Sequence, residues 1–103
     1  MAERISVQTK DNGKTVEIRI VGEFLFDLHA PFREAYRSVE DNGVRFVINL
    51  AATTYLDSSA LAMILLLLKH VNNDASRVIL RNASPAIRKI LSVAQFNQLA
   101  TVE

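Results

Sequence analysis

Residues 60–68 (ALAMILLLL) are nine consecutive apolar positions, and they follow directly on Asp57-Ser58-Ser59. A bilayer span needs roughly 20 such residues, so the run is too short to cross a membrane and reads as a deeply packed helix. Asp57 stands in front of it as a candidate N-cap, its carboxylate able to accept from the free amides of a first turn. The helix is expected over 58–70. A segment this apolar folds only if other elements cover it.

The flanking sequence supplies them. VRFVINL at 44–50 is nearly all apolar and rich in β-branched residues, as expected of a central strand covered on both faces. RVILR at 77–81 reads as a second buried strand. Near the start, Ile5 and Val7 alternate with polar neighbours, Asn12-Gly13 supplies a turn, and Val16, Ile18 and Ile20 alternate again, so a hairpin with one buried face on each strand is predicted. Phe32, Ala35, Tyr36 and Val39 make one helical stripe, with Pro31 suited to the first turn and Asp41-Asn42-Gly43 as the stop. Ser84 caps a last helix with Pro85 at its first position and Ile87, Ile90, Leu91 and Ala94 as its core stripe; 99–102 reads as a short final strand. EFLFDLHAP and AATTY read as connections.

The expected order is therefore β-β-α-β-α-β-α-β: a single α/β domain over 1–103 with a mixed β-sheet. Single helices between strands favour parallel neighbours joined by right-handed crossovers, and the leading hairpin adds an antiparallel pair. In that layout the loops at the C-terminal ends of strands feed helix N-termini. ATTYLDSS would then lie at an exposed rim with the positive end of a helix dipole pointing outward.

Composition narrows the function. Twelve Lys and Arg against eleven Asp and Glu leave a formal charge of +1, without a basic run, which argues against a nucleic-acid or membrane-surface partner. No cysteine is present, so neither a disulfide frame nor thiolate chemistry is available, which fits a reducing compartment. MAERISVQTK has no apolar stretch after its charges and does not read as a secretory signal. A cytoplasmic protein is expected.

Ser58, Ser59, Asp57, His29 and His70 are the residue types of a hydrolase triad. The strand-to-helix serine elbow G-x-S-x-G is missing, and His70 would lie about 18 Å along the same helix from Ser58. His29 reads as a surface or interface residue. With two well-separated histidines and no cysteine a metal site is not expected, and the three scattered glycines make no phosphate loop. A phosphoaspartate receiver would place its acceptor at the end of a strand; Asp57 lies well past the strand ending at Leu50 and reads as a cap. On the residues alone, Ser58 and Ser59 are good first-turn helix residues.

VINLAATTYLDSSALAMILLLLKHV resembles the signature of STAS domains, in particular the bacterial anti-sigma factor antagonists of the SpoIIAA-like kind: a buried strand, a short linker, Asp-Ser-Ser-Gly-Leu and an apolar helix. VGEFLFD is similar to the family's Gly-Glu segment after the second strand, and RNASPAIRKILSVAQFNQLATVE to its closing helix and strand. The resemblance implies no enzyme and no cofactor. It implies a phosphoprotein of signal transduction and transcription regulation. In that family a partner that is both anti-sigma factor and serine kinase phosphorylates the serine after the aspartate, and a serine phosphatase reverses it, so the resemblance implies the same pair of partners here. The acceptor by motif match is Ser58, with Ser59 as the alternative. Asp57, Ser58, Ser59, Ala60, Phe24 and Asp27 would form the partner surface. Two departures stand out: Ala60 where the family has Gly, and EFLFD in place of a shorter ELD form. Partner switching follows, the unmodified protein holding the anti-sigma factor and the phosphorylated form releasing it. A receiver-like regulator, a small serine hydrolase and a STAS scaffold without a switch are the rival readings.

Overall fold

The computed structural model describes residues 4–103. The first three residues, on which part of the reading against a secretory signal falls, lie outside them. Five strands form a mixed sheet in the order β1-β2-β4-β6-β7: Ile5–Lys10, Thr15–Ile20, Arg45–Asn49, Val78–Arg81 and Thr101–Val102. β1 is antiparallel to β2, and every other neighbour is parallel. The hairpin closes through residues 11–14, where Asp11, Asn12 and Gly13 all take positive φ, which Asn, Asp and Gly tolerate best. Thr15 Oγ1 donates to Asp11 Oδ2 (2.8 Å), so the turn satisfies a buried hydroxyl.

Val16, Ile18 and Ile20 on β2, Phe46 and Ile48 on β4, and Val78 and Leu80 on β6 point to one side. There they meet three helices in one core: α1 (His29–Glu34), α2 (Ser58–His70) and α3 (Pro85–Val93). The apolar run of β4 led to an expectation of helices on both faces, and that is corrected. Val47 and Ile79, paired in register, face the other way and are buried outside the helix-covered core. Glu17, Arg45 and Arg81 surround them; long charged side chains cover apolar surface with their stems while keeping their heads in water. Lys10 Nζ reaches Glu17 at 2.9 Å and Arg81 Nε reaches Glu103 at 2.8 Å across this face. β1 is an edge strand beyond the helical layer, so Val7 is exposed where a buried face was expected.

Two strands were not anticipated. β3 (Gly22–Phe24) and β5 (Thr53–Leu56) pair in parallel as a separate two-stranded sheet. Gly22, at φ +80°, turns the chain out of β2, and its amide donates to Ala52 O at 2.8 Å. Thr53 Oγ1 donates to Ile20 O at 2.9 Å from a buried position. AATTY is thus partly a strand, with Thr53 and Leu56 inward and Thr54 and Tyr55 outward.

α1 is shorter than its stripe implied and begins earlier. Phe32 and Tyr36 are buried, while Ala35 and Val39, in the turns that follow, pack partly against the core. α2 buries Ala60, Met63, Ile64, Leu67 and Leu68 but leaves Leu65 and Leu66 44% and 57% exposed, so it is packed on one side only. It ends in a Schellman motif: the Asn73 amide donates to Leu68 O (2.7 Å) and the Asn72 amide to Lys69 O (3.1 Å), both asparagines being left-handed. α3 starts as expected, the Ile87 amide donating to Ser84 Oγ at 3.3 Å with Pro85 first. It stops at Val93, which leaves Ala94 exposed at the C-cap rather than in the core stripe.

Candidate functional site at the start of α2

β5 delivers Asp57 to the entrance of α2 in extended conformation (φ −115°, ψ −174°), the geometry of an N-cap. The Ala60 amide donates to Asp57 Oδ1 at 3.0 Å, and Ser59 Oγ donates to the same oxygen at 2.6 Å. The Ser59 hydroxyl, and after it the Ala60 amide, hold the Asp57 carboxyl below its ordinary range. Ser58 is exposed, and its hydroxyl has no hydrogen-bond partner among the described residues. The two adjacent serines are thus unequal, one clamped and half-buried, the other free at the first position of a helix thirteen residues long. First-turn amides and the dipole make such a position favourable for an anion.

The parallel pairing of β3 with β5 sets Glu23 opposite Tyr55 and Phe24 opposite Leu56. The chain leaving β3, Leu25 to Asp27, therefore runs out beside the chain leaving β5, Asp57 and Ser58. Two aromatic rings are exposed there, Phe26 at 60% and Tyr55 at 49%. Phe26 stacks on His29 with centroids 4.4 Å apart, and His29 Nδ1 lies 3.0 Å from Phe26 O. Asp27 accepts from both terminal nitrogens of Arg4, one of them at 3.1 Å, and Arg4 also donates to Glu23 O at 2.5 Å. This pairing holds the Asp27 carboxyl low and ties the start of β1 to the rim.

Of the residues expected on a partner surface, Asp57, Ser58, Ser59 and Asp27 lie at this rim. Phe24 and Ala60 do not belong to it, since both are fully buried. Phe24 packs on Phe32 with ring centroids 5.4 Å apart, and the Ala60 methyl points into the core; their part is to seat β3 and α2. The exposure of Phe26 and Tyr55 was not anticipated, and the only signal for it was an aromatic residue in each of two connections. His70 lies at the far end of α2, its Nε2 2.6 Å from Val39 O and its ring 5.1 Å from that of Tyr36. It is a packing residue. Asp57 does follow a strand after all, because β5 ends at Leu56. Its carboxylate is nonetheless engaged as a cap. Among the described residues no group of three His, Cys, Asp or Glu is placed to hold a metal ion, and no helix is long and apolar enough to cross a membrane.

A mixed sheet with helices on one face and a capped, serine-bearing helix start at its rim define a single α/β domain of regular architecture. The family model described as "Mlab, STAS domain" matches residues 7–101. The STAS-domain containing protein PA14_20770 of Pseudomonas aeruginosa (strain UCBPP-PA14) is 44% identical over 88 residues, which cover 85% of this chain and 87% of that protein. The chain belongs to the STAS domain family. Its fold is that of the anti-sigma factor antagonist SpoIIAA. The unphosphorylated form of SpoIIAA matches with a TM-score of 0.74 at 23% identity, covering 96% of this chain and 86% of that one. The phosphorylated form of the Bacillus protein matches with 0.67 at 22%, covering 96% and 90%.

Proposed function

We propose that this protein is an anti-sigma factor antagonist of the cytoplasm that works by partner switching, not catalysis. It binds an anti-sigma factor with serine kinase activity while Ser58 is unmodified, and it releases that partner once Ser58 is phosphorylated. A serine phosphatase restores the binding form. The observation that carries the reading is the inequality of the serines: Asp57 clamps the Ser59 hydroxyl at 2.6 Å and leaves Ser58 outside the clamp, exposed.

A phosphoserine brings about −1.5 to −2 charge. At the positive end of α2 that charge is tolerated by the fold. In a docked complex it must be desolvated beside the ionised Asp57, which costs several kcal/mol where pairing is incomplete. The modification therefore separates the partners without unfolding the domain. The likeness of this fold to both the unphosphorylated and phosphorylated SpoIIAA structures supports that separation of effects.

The test is to identify the partner retained by the unmodified protein and to measure its affinity for Ser58→Ala, Ser58→Asp and Ser58→Glu. Retention by alanine and loss by both acids is the expected pattern. Equal binding by all three refutes the switch. The exposed rings of Phe26 and Tyr55 favour a second reading, a scaffold that holds its partner through these rings whatever the state of Ser58; equal binding would select it.

A further inference from the structure

β3 and β5 are parallel neighbours, so α1 and α2, which follow them, both begin at the rim and run away from it. At their far ends lies a cleft of about 530 Å³, lined by Arg33, Tyr36, Arg37, Leu66, Lys69 and His70. Arg33 and Arg37 stand one turn apart, the Arg37 amide donating to Arg33 O at 2.9 Å. Leu66, Lys69 and His70 share a face of α2 at i, i+3 and i+4. Tyr36 joins the two walls, its ring 5.1 Å from that of His70. Burial pushes the Tyr36 phenol up and the Arg33 guanidinium works against it, which sets that cation near the phenol. No acid lines the cleft. Among the described residues Arg33 and Lys69 have no ion-pair partner, and Arg37 has only Glu34, at 3.2 Å with both side chains more than half exposed. Such a surface pair contributes little. A last-turn cation complements the negative end of its own helix, but here two helix ends bring three cations to one cleft.

We propose that this cleft binds an acidic segment of a protein partner, its carboxylates on Arg33, Arg37 and Lys69 and an apolar side chain on the exposed Leu66. Guanidinium groups receive carboxylates in bidentate pairs, and a patch of one sign selects a partner of the other. Two other occupants fit less well. A second copy of this chain offers only one pair of neighbouring acids, Glu40 and Asp41, and Asp41 Oδ1 already accepts from the Gly43 amide at 2.7 Å. An anionic bilayer is held by clusters of about 4–8 Lys and Arg, more than this face presents. The cleft is also separate from the Ser58 hydroxyl, since Lys69 lies about 16 Å further along α2 at 1.5 Å per residue. Its occupancy therefore does not depend on the switch proposed above.

The experiment titrates the full, isotope-labelled chain with a short peptide of glutamates interrupted by leucines, beside a counterpart with lysine for every glutamate. Amide resonances both read binding and locate it. The acidic peptide should shift residues 33–37 and 66–70 and weaken with added salt; the lysine peptide should not bind. Arg33→Glu and Lys69→Glu should each weaken binding about tenfold, and Leu66→Gln should weaken it too. Lys89→Glu, on α3, changes the net charge by the same amount and should leave binding unchanged. All four positions are exposed, so the fold should persist, as circular dichroism checks. Ser58→Asp should bind the acidic peptide as the unaltered chain does, which separates failure of this proposal from failure of the switch. The proposal is overturned by no binding, by equal binding of the two peptides, or by an equal loss in Lys89→Glu and Lys69→Glu. Resonance shifts confined to other residues, or loss of peptide binding in Ser58→Asp, would also overturn it. So would a Lys69-dependent dimer in sedimentation, or tighter Lys69-dependent binding to phosphatidylglycerol vesicles than to the peptide.

Discussion

The Ser59 hydroxyl donates to Asp57 Oδ1 at 2.6 Å, and the oxygen it reaches is the one that caps α2 through the Ala60 amide. One carboxylate thus fixes the helix start and withdraws one of two neighbouring hydroxyls from solvent. In vitro phosphorylation by the partner kinase should put the phosphate on Ser58, and mass spectrometry of the tryptic peptide distinguishes the two serines. Ser59→Ala should leave the phosphorylation rate nearly unchanged, whereas Ser58→Ala should abolish it.

The cap also predicts a pH dependence. The Asp57 carboxyl sits below its ordinary value of 3.8 in the folded chain, chiefly through the Ser59 hydroxyl. Its stabilising contribution is therefore complete above that value and is lost as pH falls through the lowered folded one. Asp57→Asn keeps an N-cap acceptor but does not titrate. Urea midpoints measured from neutral pH down into acid should fall less steeply for Asp57→Asn than for the unaltered chain.

The apolar run of α2 should divide sharply under mutation. Ile64 is fully buried, and Ile64→Ala should cost about 2–5 kcal/mol in urea denaturation through lost burial and a cavity. Leu66, on the outer side of the same helix, should tolerate Leu66→Gln within about 0.5 kcal/mol. Similar costs at both positions would mean that α2 is packed all round.

Ser84→Ala removes the cap of α3 and should cost about 1 kcal/mol of stability. His70→Leu removes the partner of the Val39 carbonyl and should cost about 1–3 kcal/mol. Because both lie away from the Ser58 hydroxyl, neither should change partner affinity measured well below the unfolding transition.

These positions also mark how much was legible in the residues beforehand. Helix starts were readable because their determinants are local: Asp57 and Ser84 stand directly before the helices they cap, and Asn12-Gly13 lies inside its own hairpin. β3 and β5 were not, since each is at most four residues long and they gain their pairing only from each other across the α1 region. The run 44–50 suggested two helical layers because pattern alone cannot tell a helix from a layer of long charged side chains, and here Glu17, Arg45 and Arg81 do that covering. At the site, spacing named the serine pair but could not rank its members. The choice depends on which hydroxyl the Asp57 side chain can reach, a matter of φ, ψ and rotamer.

The most direct measurement is isothermal titration of the proposed anti-sigma partner into two forms of this chain, one unmodified and one with phosphoserine installed at position 58. The account predicts an affinity lower by about a hundredfold for the phosphorylated form, with the far-ultraviolet circular dichroism of the two forms superimposable. Equal affinities, or a loss of affinity accompanied by unfolding, would contradict it.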